Sequence, residues 1–326
     1  MYNVSAYVER CLLSVMRQTR PANECIIVDD ASPDDSIAKC ERLIAEYTGP
    51  TRFIFLHHNE KRGLSATRNT GTDAATCDYI IYVDSDDELT TDCLEKLSQP
   101  IMKDGSIEMV MGNYLTNRDE MPLPWWQRLL RFNYSLENTP SELCTNEQVL
   151  HWFYKGKSKR PPYVWNRLLK LDFIENHQLY NKEGVLFEDQ FWNYKLVHCL
   201  RHAAFVNDIT YQYHIRPGSI ITSTKREDEL MYRGFFFEEY AKNVVPSMHI
   251  EETEYYFKGF CEYYIDSYNN PNYQYAYRIF RRELSDGHHR KCIIMLILAL
   301  ILGKDCIGRV LFKILTRTYL FIKQLI

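Results

Sequence analysis

The sequence lacks the short signatures of the commonest nucleotide and metal enzymes. It has no Gly-x-Gly-x-x-Gly dinucleotide fingerprint, no Walker loop and no His-Glu-x-x-His zinc site. It has little net charge: 39 basic residues against 43 acidic ones leave −4, which gives no overall pull toward nucleic acid. Ten cysteines are present, but none in the close Cys-x-x-Cys pairs of zinc ribbons or redox dithiols. Scattered singly through apolar stretches (Cys25, Cys77, Cys199, Cys261), they read as reduced, buried thiols, which fits a reducing cytosol. The apolar run Cys292–Leu302 is too short for a bilayer span, which needs ~20 residues. No leader signature opens the chain, and no strand precedes Tyr2. Val8, Leu12, Val15 and Met16 recur at helical spacing, so the sequence starts on a loop and a helix.

What is present is an alternation of strand and helix signals on a composition ordinary for a folded protein, 45% hydrophobic and 25% charged. Helices are expected over about Ala6–Gln18, Ser36–Tyr47, Ser65–Ala75 and Thr91–Leu97, and strands over Glu24–Val28, Arg52–Leu56, Tyr79–Val83 and Glu108–Met111. Such alternation predicts an α/β fold, a mostly parallel sheet flanked by helices, with ligands beyond the carboxyl ends of the strands. Two acidic clusters fall there, Asp29-Asp30 and Asp84-Ser85-Asp86-Asp87. After about Asn117 the pattern becomes irregular, with Pro122, Pro124, Trp125 and Trp126, and later helical. Three regions follow: 1–118 as a ligand-binding half, 119–225 as the other half of the same unit, and 226–326 as a helical extension. Tyr255–Tyr268 is dense in aromatics at near-helical spacing, which reads as a packed helix face before a stacking platform.

The carboxylates carry the chemistry. Asp84 and Asp86 converge at a strand end, where oxygen ligands suit Mg²⁺ or Mn²⁺; capping of the next helix explains them as well. Asp29 and Asp30 could accept hydrogen bonds from a base or ribose; capping is again the alternative, although Asp34 or Ser36 can cap the next helix and leave this pair over. Glu188-Asp189, wrapped by Phe187, Phe191 and Trp192, could hold a carboxyl of raised pKa, or cap a helix.

Taken in order, these elements resemble family 2 of the glycosyltransferases. The matching residues are Tyr2-Asn3-Val4, Ile27–Ser32, Asn59, Gly63–Gly71, Tyr82–Asp87, Trp165–Leu168, Glu188-Asp189 and Tyr213–Ile220, over about the first two-thirds of the chain. The resemblance implies a GT-A (Rossmann-like) fold and an inverting, metal-dependent glycosyltransferase. It would move a sugar from a nucleotide donor, UDP by the same likeness, to a hydroxyl of a glycan or lipid-linked acceptor in surface polysaccharide or lipopolysaccharide assembly. By the same warrant Asp189 is the catalytic base. Tyr2, Asp29, Asp30, Arg68, Asp84, Arg216 and Ser219 face the donor, and Asp86, Asp84 and His214 the Mn²⁺ or Mg²⁺. A structural histidine at 214, and an Arg68 merely paired with an acid, are the bland alternatives. Family members carry an apolar strand just before the Tyr-Asn, so the first strand is expected to be missing and the chain truncated.

Residues 292–326 join an apolar run to Arg309, Lys313 and Arg317 at helical spacing, which predicts a membrane-interface segment and a place at the cytoplasmic face of the inner membrane. The alternative is a buried helix with a surface one. Two rival functions stand beside the enzyme: a non-catalytic relative acting as a carbohydrate-binding scaffold, and a sugar nucleotidyltransferase, which would show a Gly-rich phosphate loop that is absent here.

Overall fold

The computed structural model describes residues 1–117, 140–155, 162–244 and 259. Its first half alternates as the periodicity predicts: α1 (Val8–Met16), β1 (Glu24–Asp29), α2 (Ser36–Glu46), β2 (Arg52–His57), α3 (Leu64–Ala74), β3 (Tyr79–Ile81), the short β4 (Glu88–Leu89), α4 (Cys93–Lys103) and β5 (Met109–Asn117). Then come β6 (Glu142–Leu143), α5 (Asn146–Lys155), β7 (Arg167–Lys170), α6 (Leu171–Asn176), α7 (Glu188–Cys199), β8 (Ala203–His214), the single turn α8 (Ile220–Ser223) and α9 (Arg226–Val244). Helix α1 buries Val8, Cys11 and Leu12, one face at i, i+3 and i+4.

The strands form two sheets. β1 and β2 pair in parallel, Glu24 opposite Arg52 through Asp29 opposite His57. The larger sheet runs β3–β7–β5–β8–β4, with β6 also on β8. The α/β fold holds, but strand directions are mixed rather than mostly parallel. β5 runs parallel to β8, whereas β7 is antiparallel to both β3 and β5, and β4 and β6 are antiparallel to β8. The cause lies in the irregular half, where no strand was expected. It supplies β6, β7 and β8, and of these only β8 has a parallel neighbour, β5. The core of this sheet gathers Leu97, Ile107, Val110, Trp165, Leu168 and Tyr211, all buried.

Between β1 and β3 lies a cavity of about 770 Å³, lined by Cys25–Val28, Tyr79–Val83, Leu12, Cys40 and Leu94 among others. Met1 makes one rung beside β1, its amine donating to the Val28 carbonyl at 2.7 Å and its carbonyl accepting from Asp30 N–H at 2.9 Å.

The chain divides into two compact units, Met1–Val149 with Pro161–Ser223, and Leu150–Arg160 with Thr224–Ile326. Both sheets belong to the first; of the second, α9 is the main described element. Trp125 and Trp126, the aromatic stretch Tyr255–Tyr268 and the interface segment 292–326 lie outside the described residues. Among the described residues, no helix is long and apolar enough to cross a membrane.

Candidate active site

Asp29 and Asp30 end β1, and Ala31 follows in the left-handed region at φ 55°, turning the chain sharply. Asp29 accepts from Ser32 N–H at 2.9 Å and faces His57 Nδ1 at 3.4 Å. Asp30 is almost fully buried. Its Oδ1 meets His58 Nδ1 at 2.7 Å and Arg62 N–H at 2.8 Å, and its Oδ2 accepts Gly63 N–H at 2.8 Å. Burial pushes this carboxyl up, but the His58, Arg62 and Gly63 donors outweigh it and hold the pKa below the usual carboxylate value. Asp30 thereby fixes the loop that starts α3, where Gly63 at φ 92° caps the helix.

Helix α3 carries Arg68 inward. Its guanidinium donates to Asp84 Oδ1 at 2.8 Å and to Glu188 Oε1 at 2.7 Å. Burial works against the charge; Asp84 and Glu188 more than restore it and raise the pKa further. One buried arginine therefore joins the acidic turn after β3 to the start of α7. Asn69, the next residue, secures the same approach: its amide donates to the Asn181 carbonyl at 2.9 Å and accepts Asn181 N–H at 2.8 Å.

The acidic turn holds its members in distinct states. Asp86 accepts Arg216 Nε at 2.7 Å; burial and the Asp84 charge still leave its pKa raised. Asp87 is fully buried, accepting Tyr211 O–H at 2.8 Å and His214 N–H at 2.7 Å. Burial and the charges of Asp84 and Asp86 push its pKa up to about 9. His214 Nε2 lies 2.8 Å from Glu88 Oε1. Arg10 donates to the Asp86 carbonyl at 2.9 Å. Arg10 and Arg216 both lie over the Tyr7 ring, at 5.2 and 4.6 Å from its centroid.

Asp189 occupies the first turn of α7. Phe187, just ahead, adopts φ 60° and ψ 40°, a left-handed conformation that costs a bulky residue ~1–3 kcal/mol and recurs at functional sites. Asp189 Oδ1 is buried and has no hydrogen-bond partner. Burial and the Glu188 charge push its carboxyl up to about 7, against the pull of Arg68.

The residues expected at the site thus separate into groups. Arg68 and Asp84 are joined directly, and Glu188 brings Asp189 to them. Asp86 and Arg216 form a pair, with His214 on neighbouring Glu88. Ser219 directly precedes α8, its carbonyl accepting Ser223 N–H at 2.9 Å and its hydroxyl lying 3.0 Å from that of Thr222. Tyr2 stands 37% exposed with Lys61 Nζ 3.8 Å from its ring centroid. Trp165 is buried, stacked on Tyr163 and Tyr211 with centroids 4.4 and 4.5 Å apart. Asn166, at φ 58°, braces the sheet by donating to the Gly112 and Asn113 carbonyls. Tyr7, Arg10, Asp87 and Glu88 carried no assigned role in the sequence reading. Asp87 and Glu88 follow directly on the acidic turn, but Tyr7 and Arg10 stand on an otherwise ordinary amphipathic segment and had no signal.

Comparison with known proteins assigns a family to the first part of the chain. The model of glycosyl transferase family 2 matches residues 1–156. The chain carries a family 2 glycosyl transferase domain. Glycosyltransferase GlyG of Streptococcus pneumoniae serotype 4 is 26% identical over 244 residues, 75% of this chain and 77% of that one. Other relatives run longer, the chain spanning 60% of two of them and 30% of another. Among solved structures, S. aureus TarS 1–349 in complex with UDP-GlcNAc matches with TM-score 0.58 at 15% identity, over 86% of each chain. The mannosyltransferase PcManGT from Pyrobaculum calidifontis, in complex with GDP-Man and Mn²⁺, matches with TM-score 0.53 at 15% identity, over 98% of this chain and 83% of that one. At these identities the likeness is one of fold, and that fold is the GT-A type expected.

Proposed function

We propose that this family 2 glycosyltransferase uses Asp189 as its general base in an inverting transfer from a nucleotide-sugar donor, with UDP the favoured nucleotide, to a hydroxyl of a glycan or lipid-linked acceptor. The observation that carries the reading is the state of Asp189: a buried carboxylate oxygen without a donor, at a pKa of about 7, on the helix that Arg68 ties to the acidic turn. A base works best when its pKa lies near the working pH, and an oxygen with no donor is free to take an acceptor's proton. Attack from the face opposite the leaving nucleotide inverts the anomeric centre.

The acidic turn fits a divalent cation. Burial and the Asp84 charge push Asp86 up, and burial with the charges of Asp84 and Asp86 drives Asp87 to about 9, a local excess of negative potential that Mn²⁺ or Mg²⁺ would relieve. Asp86 and Asp84 would hold it, with His214 beside them. Bound there, the ion would supply charge stabilisation for the departing diphosphate. Arg216 lies within the same cluster and would share that role once the ion competes for Asp86. Arg68 holds Asp84 and Glu188 in place; Asp29, Asp30 and the exposed Tyr2 would line the base side of the donor, and Ser219 the loop that carries Arg216. Residues 1–118 would then be the donor half and 119–225 the acceptor half. The reading extends to surface polysaccharide assembly, with peripheral contact at the cytoplasmic face of a membrane through 292–326.

The test is release of nucleoside diphosphate from a panel of nucleotide sugars with Mn²⁺, Mg²⁺ or chelator, beside the Asp86→Ala variant. Metal-dependent release from one UDP-sugar, lost in the variant, is expected. Turnover that is indifferent to chelator and to Asp86→Ala would overturn the metal assignment. The absence of any turnover with every donor and acceptor tried would favour the scaffold reading.

A further inference from the structure

At the edge where β6 lies on β8, three side chains of different chemistry meet. Glu142 and Cys144 stand two residues apart around the end of β6, so extended backbone sends both to one face. His202 immediately precedes β8. A carboxylate oxygen, the thiol sulfur and a ring nitrogen of these three lie within 4.8 Å of one another. The histidine is held on its other side, Nδ1 being 2.9 Å from the Ser106 hydroxyl. Its backbone is fixed too, since Glu108 Oε2 accepts both Arg201 N–H at 2.7 Å and His202 N–H at 3.0 Å.

We propose that Glu142, Cys144 and His202 form a binding site for a zinc-class transition metal, separate from the divalent site of the acidic turn. One sulfur, one imidazole and one carboxylate are the donor mixture that zinc takes, and a thiolate disfavours Mg²⁺. Ser106 supplies an outer contact that orients a ligating imidazole, its hydroxyl lying against Nδ1, and Nε2 is in hydrogen-bond contact with a Glu142 carboxylate oxygen, a contact that a bound cation would replace. Three protein ligands leave a fourth position for water or another donor. The ion would tie β6 to β8, whose pairing otherwise spans only Glu142 opposite Ala204 and Leu143 opposite Ala203. A thiol must lose its proton to ligate, so affinity rises with pH.

The experiment uses the full chain stripped with chelator and titrated with Co²⁺ as a spectroscopic probe, then with Zn²⁺ in competition. A cobalt–thiolate charge-transfer band is expected, bleached by Zn²⁺. Cys144→Ser and His202→Gln should each lower the bound metal by one equivalent, and Ser106→Ala should weaken binding ~10–100-fold. Asp86→Ala should leave the band intact. Thermal unfolding of each variant without metal guards against misfolding, because only the metal-induced rise in Tm should disappear. Absence of the band in the parent chain, or its persistence at full intensity in Cys144→Ser, overturns the site.

Discussion

Asp30 and Asp189 are both carboxylates taken out of water, and the protein treats them in opposite ways. Asp30 receives three donors and sits below its ordinary pKa; Asp189 has one oxygen with no partner and titrates at about 7. Burial pushes both upward, so hydrogen-bond supply decides the outcome. A saturated carboxylate acts as a brace for the loop around it. A starved one keeps its capacity for a proton and is the better base.

The comparison breaks most visibly at Asp189. Asp189→Asn should cut transfer by ~10²–10⁴ while donor affinity, read by calorimetry, stays within a few-fold. Full turnover in the variant removes Asp189 as the base. Next in size is Arg68→Ala, which leaves the buried Glu188 and the half-buried Asp84 without their cation and should cost ~3–5 kcal/mol in denaturant unfolding. The same variant sharpens the contrast, because Arg68 pulls the Asp189 pKa down. Its loss should move the acid limb of the pH–rate profile to higher pH.

Asp30→Asn should cost ~1–3 kcal/mol by leaving an acceptor poorly matched to its donors. The two acids also differ in sign. The folded pKa of Asp30 lies below the unfolded one, so its stabilisation is present above about pH 4 and is lost as pH falls through the folded value. Asp189 is raised, so its protonated form supports the fold at low pH, and that support is lost as pH rises through about 7. Urea unfolding of Asp30→Asn and Asp189→Asn against pH separates these slopes. The smallest effect is kinetic: kcat of the parent chain should climb as pH rises through about 7, and a profile flat between pH 5 and 8 would contradict the assignment.

Much of this was legible beforehand. Each strand and helix expected before Met111 is present, because period and turn residues act locally there. β7 and β8 escaped notice: Arg167–Lys170 is too short to show a period, and β8 mixes buried Ala203–Phe205 with exposed Asn207 and Asp208. Their directions depend on pairing partners far away in sequence, which no local pattern encodes. The acids themselves were found by motif, but their states were not. Nothing near Asp30 in sequence announces that Arg62 and Gly63 donate to it. The expectation that Arg68 holds nucleotide, or alternatively pairs with a neighbouring acid, left out a third use, the simultaneous tie to two acids on different elements. Ser219 stands one residue before α8, and that its hydroxyl reaches Thr222 was likewise not announced by its motif.

The Arg68 tie has a consequence for the order in which the site can come into being. Asp84 follows Arg68 by 16 residues and Glu188 by 120. During synthesis at ~5–20 residues per second, the first partner emerges within seconds, whereas the second arrives roughly 6–24 s after the arginine. Until then the guanidinium has one acid where it will have two, and the start of α7 that bears Asp189 does not yet exist. A nascent chain can therefore assemble the donor-side scaffold well before it has anything to catalyse with, and the last strut to arrive is the one that delivers the base.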